Sequence, residues 1–93
     1  MIAALPASAE HRTDISIFVR QLRHLLDLTQ AEFAEKLGVS TPTIARWETN
    51  KSHPSPLALM QLKNTLHQLK ESPYKVQQLC AQALLAGYFD EDL

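Results

Sequence analysis

Leu28-Thr29-Gln30-Ala31-Glu32-Phe33-Ala34-Glu35-Lys36-Leu37-Gly38-Val39-Ser40-Thr41-Pro42-Thr43-Ile44-Ala45-Arg46-Trp47-Glu48 carries two short helical patterns separated by one tight turn. Thr29 and Glu32 have the S/T-x-x-E spacing of a capping box, so a helix opens at Thr29. Phe33, Ala34 and Leu37 recur at the helical period and form its apolar stripe. Gly38 comes next, the residue best able to take the left-handed conformation that stops a helix. Ser40 then caps a second helix with Pro42 in its first turn, where a missing N–H costs nothing. The spacing has a mechanical reason. Ala34 must be small where the second helix crosses the first, and Val39 and Ile44 must fill the angle between them.

The flanking residues extend the helical pattern. Upstream, Asp14 is an N-cap for Ile15, Phe18, Val19, Leu22, Leu25 and Leu26, a helix ending near Asp27. Downstream, Asn50 tolerates a left-handed backbone, and His53-Pro54 ends the helical geometry. Ser55-Pro56 starts a fourth helix through Leu57, Leu59, Met60, Leu62, Leu66 and Leu69. Ser72-Pro73 repeats that start for a fifth, with Val76, Leu79, Cys80, Ala83 and Leu84 as its buried stripe and Gly87 as its stop. No stretch alternates as a strand does. The expectation is an all-α, compact five-helix domain over residues 14–87, with a loose arm over 1–13 and an acidic tail over 88–93. Phe18, Leu22, Phe33, Leu37, Ile44, Trp47 and Leu62 are its expected core.

Composition narrows the classes. A chain of 93 residues holds one domain, and it buries only about three-fifths of its unfolded surface, so it needs tight helical packing or a partner chain. With 45% apolar and 20% charged residues, wholesale disorder is excluded. No apolar run approaches the roughly 18 residues of a membrane span, and Met1 to Ala9 lack the basic start of a signal peptide. The single cysteine, Cys80, rules out an internal disulfide; a buried structural thiol in a cytoplasmic protein is the expectation. The histidines (His11, His24, His53, His67) lack metal-ligand spacing, and there is no zinc set, glycine-rich phosphate loop or nucleophile motif. Neither a catalytic residue, a metal site nor a cofactor is therefore expected. The net charge is −1, and setting aside Asp90, Glu91 and Asp92 leaves +2 (−1 plus 3).

The central stretch resembles the Cro/C1-type helix-turn-helix family, also called the XRE family, which includes phage repressors, small bacterial regulators and many antitoxins. The resemblance runs from about Val19 to Leu69. It is carried by Leu28-Thr29-Gln30, Phe33-Ala34, Leu37-Gly38-Val39-Ser40, Ile44, Trp47-Glu48 and Pro54. Asn50 stands where the family usually has glycine. The resemblance implies a lambda-repressor-like fold, with the motif over 29–49 and a recognition helix whose N-terminal residues enter the major groove. Thr41, Pro42, Thr43 and Arg46 project from that helix while Ile44 and Trp47 turn inward. They are the expected base contacts, with Arg46 able to fork onto guanine O6 and N7. Gln30 matches a glutamine that bonds a DNA phosphate in the family and abuts the recognition helix. Arg20, Asn50, Lys51 and His53 are expected to touch phosphates, or simply to be solvated. Glu48 matches a glutamate that pairs with an arginine of the first helix, and Arg23 occupies that place.

The expected partner is double-stranded DNA. A domain this small makes few contacts, and two-fold dimers answer that by binding paired half-sites, so a homodimeric repressor is the leading reading. Leu85, Tyr88 and Phe89 fall off the fifth helix's stripe and are its expected dimer surface. The alternative is an antitoxin that binds a toxin protein and autoregulates its operon.

Overall fold

A computed structural model describes residues 14–89, so expectations for the arm over 1–13 and for the tail beyond Phe89 lie outside the described residues. The fold is all-α. It comprises α1 (Ile15–Leu25), α2 (Gln30–Leu37), α3 (Thr41–Glu48), α4 (Pro56–Leu69) and α5 (Lys75–Phe89). The caps explain the starts. Asp14 accepts from the Ser16 N–H, and Thr29 and Glu32 complete their capping box. Ser40 accepts from Thr43 and Ser55 from Ala58.

The first three helices end in one and the same device. Asp27 (φ 59°), Gly38 (φ 75°) and Asn50 (φ 63°) are left-handed. After each, two N–H groups turn back onto carbonyls the helix leaves unpaired: Leu28 onto Arg23 (3.2 Å) and Asp27 onto His24 (3.0 Å), Val39 onto Ala34 (3.0 Å) and Gly38 onto Glu35 (3.2 Å), Lys51 onto Arg46 (2.8 Å) and Asn50 onto Trp47 (3.2 Å). This also corrects the first boundary. α1, expected to end near Asp27, closes at Leu25 because Asp27 is the left-handed residue of the stop.

One core joins all five helices. It comprises Ile15, Phe18, Val19 and Leu22 of α1, Phe33, Ala34 and Leu37 of α2, Ile44 and Trp47 of α3, Ala58, Leu62, Leu66 and Leu69 of α4, and Ala81 and Leu85 of α5. The seven core residues expected from the pattern are all at most 5% exposed. α3 packs on α2 and α1, while α5 packs on α1 and α4, so α1 lies between α3 and α5.

α5 departs from expectation at both ends and in its rotation. Ser72 accepts from the Tyr74 N–H (3.1 Å) and donates to Gln77 Oε1 (2.6 Å). That local turn consumes the cap, and the helix begins at Lys75 instead of following Pro73. It then runs through Gly87 to Phe89. Val76 and Leu79 are 69% and 54% exposed, and Cys80, expected to be buried, is exposed; Ala81 and Leu85 are the buried residues. Leu85 is 2% exposed. Tyr88 stacks on Phe18 (centroids 4.7 Å apart), and Phe89 meets both rings edge-on at 5.6 and 5.0 Å. The three residues expected as a dimer surface thus pack within the monomer. The reason is area: two aromatic rings seated on Phe18 bury more apolar surface than a valine and a thiol could.

Candidate nucleic-acid interface

α3 is eight residues long and fixed at both ends. At its start Ser40 accepts from the Thr43 N–H (3.2 Å), and the two hydroxyls lie 2.8 Å apart. At its end Thr49 donates to the Ala45 carbonyl (2.9 Å). Ile44 and Trp47 anchor its inner face at 0% and 3% exposure. Thr41, Pro42 and Arg46 are exposed and Thr43 is half-buried, so these four lie on or beside the helix's open side.

Glu48, only 4% exposed, ties this helix to the other two. Arg23 of α1 forks onto its carboxylate, Nε to Oε2 at 2.7 Å and Nη2 to Oε1 at 3.0 Å. The remaining Arg23 Nη1 donates to the Leu28 carbonyl at 3.1 Å, holding the α1–α2 connection. From α2, Gln30 Nε2 donates to Glu48 Oε1 at 3.1 Å. Arg20 Nη2 donates to the Glu48 backbone carbonyl at 2.8 Å, at the end of α3. Burial pushes the Glu48 carboxyl up, but the hydrogen bonds from Arg23 and then Gln30, with the Arg23 and Arg20 charges, outweigh it and hold the carboxyl below its ordinary range. The Glu48 bond and charge raise Arg23 in turn, against its burial. Every buried side-chain polar atom among the described residues has a partner. The cluster is a fully satisfied clamp.

The residues expected at phosphates are placed as follows. Gln30 abuts α3 through Glu48, and its amide nitrogen carries a second hydrogen beyond the one Glu48 receives. Lys51 and His53 are exposed beyond the end of α3. Asn50 is exposed and donates to Asp14 Oδ2 (3.2 Å), linking the start of α1 to the end of α3. Arg20 is exposed overall, yet its guanidinium donates to the α3 carbonyl. That role was missed, although a signal existed: Arg20 and Arg23 are three residues apart and share the face of α1 that meets α3.

Two eight-residue helices joined by a left-handed glycine turn, the second exposing Thr41, Pro42 and Arg46, define a helix-turn-helix unit. The helix-turn-helix family model matches residues 19–67, more than half of the chain. The chain belongs to this Cro/C1-type (XRE) family and is a sequence-specific DNA-binding regulator. No curated protein and no solved structure matches it. Among the described residues no helix is long and apolar enough to cross a membrane, and no three His, Cys, Asp or Glu residues cluster as metal ligands would.

Proposed function

We propose that the protein is a homodimeric repressor that reads a palindromic operator. In this reading α3 lies in the major groove. Thr41, Pro42, Thr43 and Arg46 meet base edges, while Gln30, Lys51 and His53, with Arg20 and Asn50 at the margin, meet phosphates. The observation that carries the reading is the division of α3: its inner face is locked by Ile44, Trp47 and the Glu48 clamp, while Thr41, Pro42 and Arg46 on its outer side are exposed. Pre-ordering of this kind lowers the entropy lost on docking. Selection of bound sequences from random duplex DNA tests it. An inverted repeat with half-sites one turn apart, about 34 Å, is expected; a lone half-site bound by one protein chain refutes the homodimer and the palindrome together.

A second reading, an antitoxin that also seats on a toxin protein, draws on the exposed apolar side of α5. Co-purification with a second small protein from the native cell would favour it.

A further inference from the structure

We infer that Asp14 limits the affinity of the protein for every duplex: its carboxylate, bonded to Asn50 just past the end of α3, sets an uncompensated negative charge beside the passing DNA backbone. The inference rests on the reading above that the residues after α3 meet phosphates, and it adds a residue that acts against them. Both side-chain amides assigned to phosphates are held by a carboxylate. Gln30 Nε2 donates to Glu48 (3.1 Å) and Asn50 Nδ2 to Asp14 Oδ2 (3.2 Å). Each amide nitrogen keeps one further hydrogen for a phosphate. The two carboxylates differ in their surroundings. Glu48 is buried, and Arg23 and Arg20 offset its charge. Asp14 is exposed, and its partners among the described residues are all neutral: the Ser16 N–H (2.8 Å), the Ser16 hydroxyl (2.7 Å) and the Asn50 amide. The bonds from Ser16 hold its carboxyl below the ordinary range, so the charge persists at neutral pH.

The fold does not require that charge. Asp14 caps α1, but serine and asparagine cap about as well. Asn50 takes the left-handed backbone of the α3 stop (φ 63°), which glycine would take without a side chain. What the two side chains add together is a carboxylate tied beside Lys51, the next residue along. A phosphate oxygen bonded by the second hydrogen of Asn50 lies within roughly 6 Å of Asp14 Oδ2. Two negative charges that close lower affinity at least about threefold even at the dielectric of water, and more as the interface sheds solvent. The penalty falls on the backbone contact, so it is the same for every sequence. An equal loss on all duplexes empties weakly bound, unrelated DNA first, while an operator held tightly by the base contacts of α3 stays filled.

Titration of two labelled duplexes, the selected operator and an unrelated sequence, with the full chain and its Asp14→Asn and Asp14→Glu variants across salt concentrations tests the inference. Asp14→Asn keeps the cap and removes the charge. It is expected to bind both duplexes at least about threefold more tightly at low salt, with a salt slope steeper by just under one and the preference for the operator unchanged. Asp14→Glu, which keeps the charge, is expected to keep the wild-type slope. Asp14→Ser is the second neutral variant should Asp14→Asn lose its helical circular dichroism. A role in capping alone would change stability without steepening the slope. Tighter binding confined to the operator, weaker binding to both duplexes, or an unchanged slope in the neutral variant overturns the inference, and so does an Asp14→Glu variant that steepens as Asp14→Asn does. Lys51→Ala separates this failure from that of the docking. If it lowers the slope while Asp14→Asn leaves it alone, the phosphate margin stands and the role of Asp14 falls; if neither moves the slope, the margin itself is misplaced.

Discussion

Replacing Arg23 by methionine removes both prongs of the fork on Glu48 and leaves the carboxylate with Gln30 as its remaining side-chain donor. Hydrogen bonds to a charged group contribute about 1.5–3 kcal/mol each, so the loss should be roughly 3–5 kcal/mol, the range for one partner stranded from a buried pair. The side chains are 14% and 4% exposed, which places the pair with buried rather than surface bridges. A domain of this size has only about 5–15 kcal/mol in total, and the shift in a urea melt should be large. The double variant Arg23→Met, Glu48→Leu should recover most of it, because no charge is left behind. The pH dependence follows from the direction of the Glu48 shift. In the native protein its carboxyl is lowered, so its contribution is present above the ordinary carboxylate pKa and lost as pH falls through the folded value. In Arg23→Met, burial is opposed by fewer donors and the carboxyl rises. The penalty should therefore shrink as pH falls towards 4 and Glu48 takes a proton. A single variant that loses less than about 1 kcal/mol at neutral pH, as an exposed pair would, refutes the clamp. So does a double variant no better than the single.

Other outcomes follow from the same geometry. Arg46→Ala should cost about 1–3 kcal/mol of operator binding and relax preference at one base pair, whereas Lys51→Ala should weaken all sequences alike and lower the salt slope by about one, both read by titration of labelled duplexes across salt concentrations. Asp27→Gly should raise stability by about 0.5–1 kcal/mol in a thermal melt, since it relieves a left-handed residue and removes a negative charge from the C-terminal end of α1; a loss would contradict the role given to Asp27. Leu85→Ala should destabilise the monomer by about 2–5 kcal/mol, as core truncations do. Unchanged folding with a split dimer would return Leu85 to the surface.

How far the fold could be read from the residues depended on contrast along each helix. α1 to α3 mix apolar and polar positions sharply, and caps mark their starts, so their inner faces were legible in Phe18, Leu22, Phe33, Ile44 and Trp47. α5 has almost no such contrast. Ala81, Leu84, Leu85, Tyr88 and Phe89 compete with Val76, Leu79 and Cys80 for the interior, and periodicity cannot rank them. The decision belongs to Phe18, some seventy residues earlier, against which Tyr88 stacks. Asp27 shows a different limit, because only its backbone marks the stop and its residue type barely favours it. At the candidate interface Thr41, Pro42, Thr43 and Arg46 were singled out by the family resemblance, together with their positions on one short helix. The bond from Arg20 to the Glu48 carbonyl was not legible, because a cation on a surface helix has the same appearance whether or not it meets a carbonyl.

The left-handed stops after α2 and α3 hold each of these helices to eight residues, about two turns. Isolated helices shorter than about 12–15 residues are marginal in water, so neither should survive outside the domain. An excised peptide spanning 28–50 would be largely unstructured, and grafting it elsewhere would carry over its letters without its shape. The reading surface exists only while the whole core does, which makes folding and operator occupancy two faces of one equilibrium. Each bound operator draws chains from the unfolded pool, raising the melting temperature with DNA concentration, by about 2.7 kcal/mol of added stability at a hundredfold excess over Kd. Conversely, a core substitution far from α3 erodes regulation through the fraction of chains still folded, and its effect should be felt most steeply on warming.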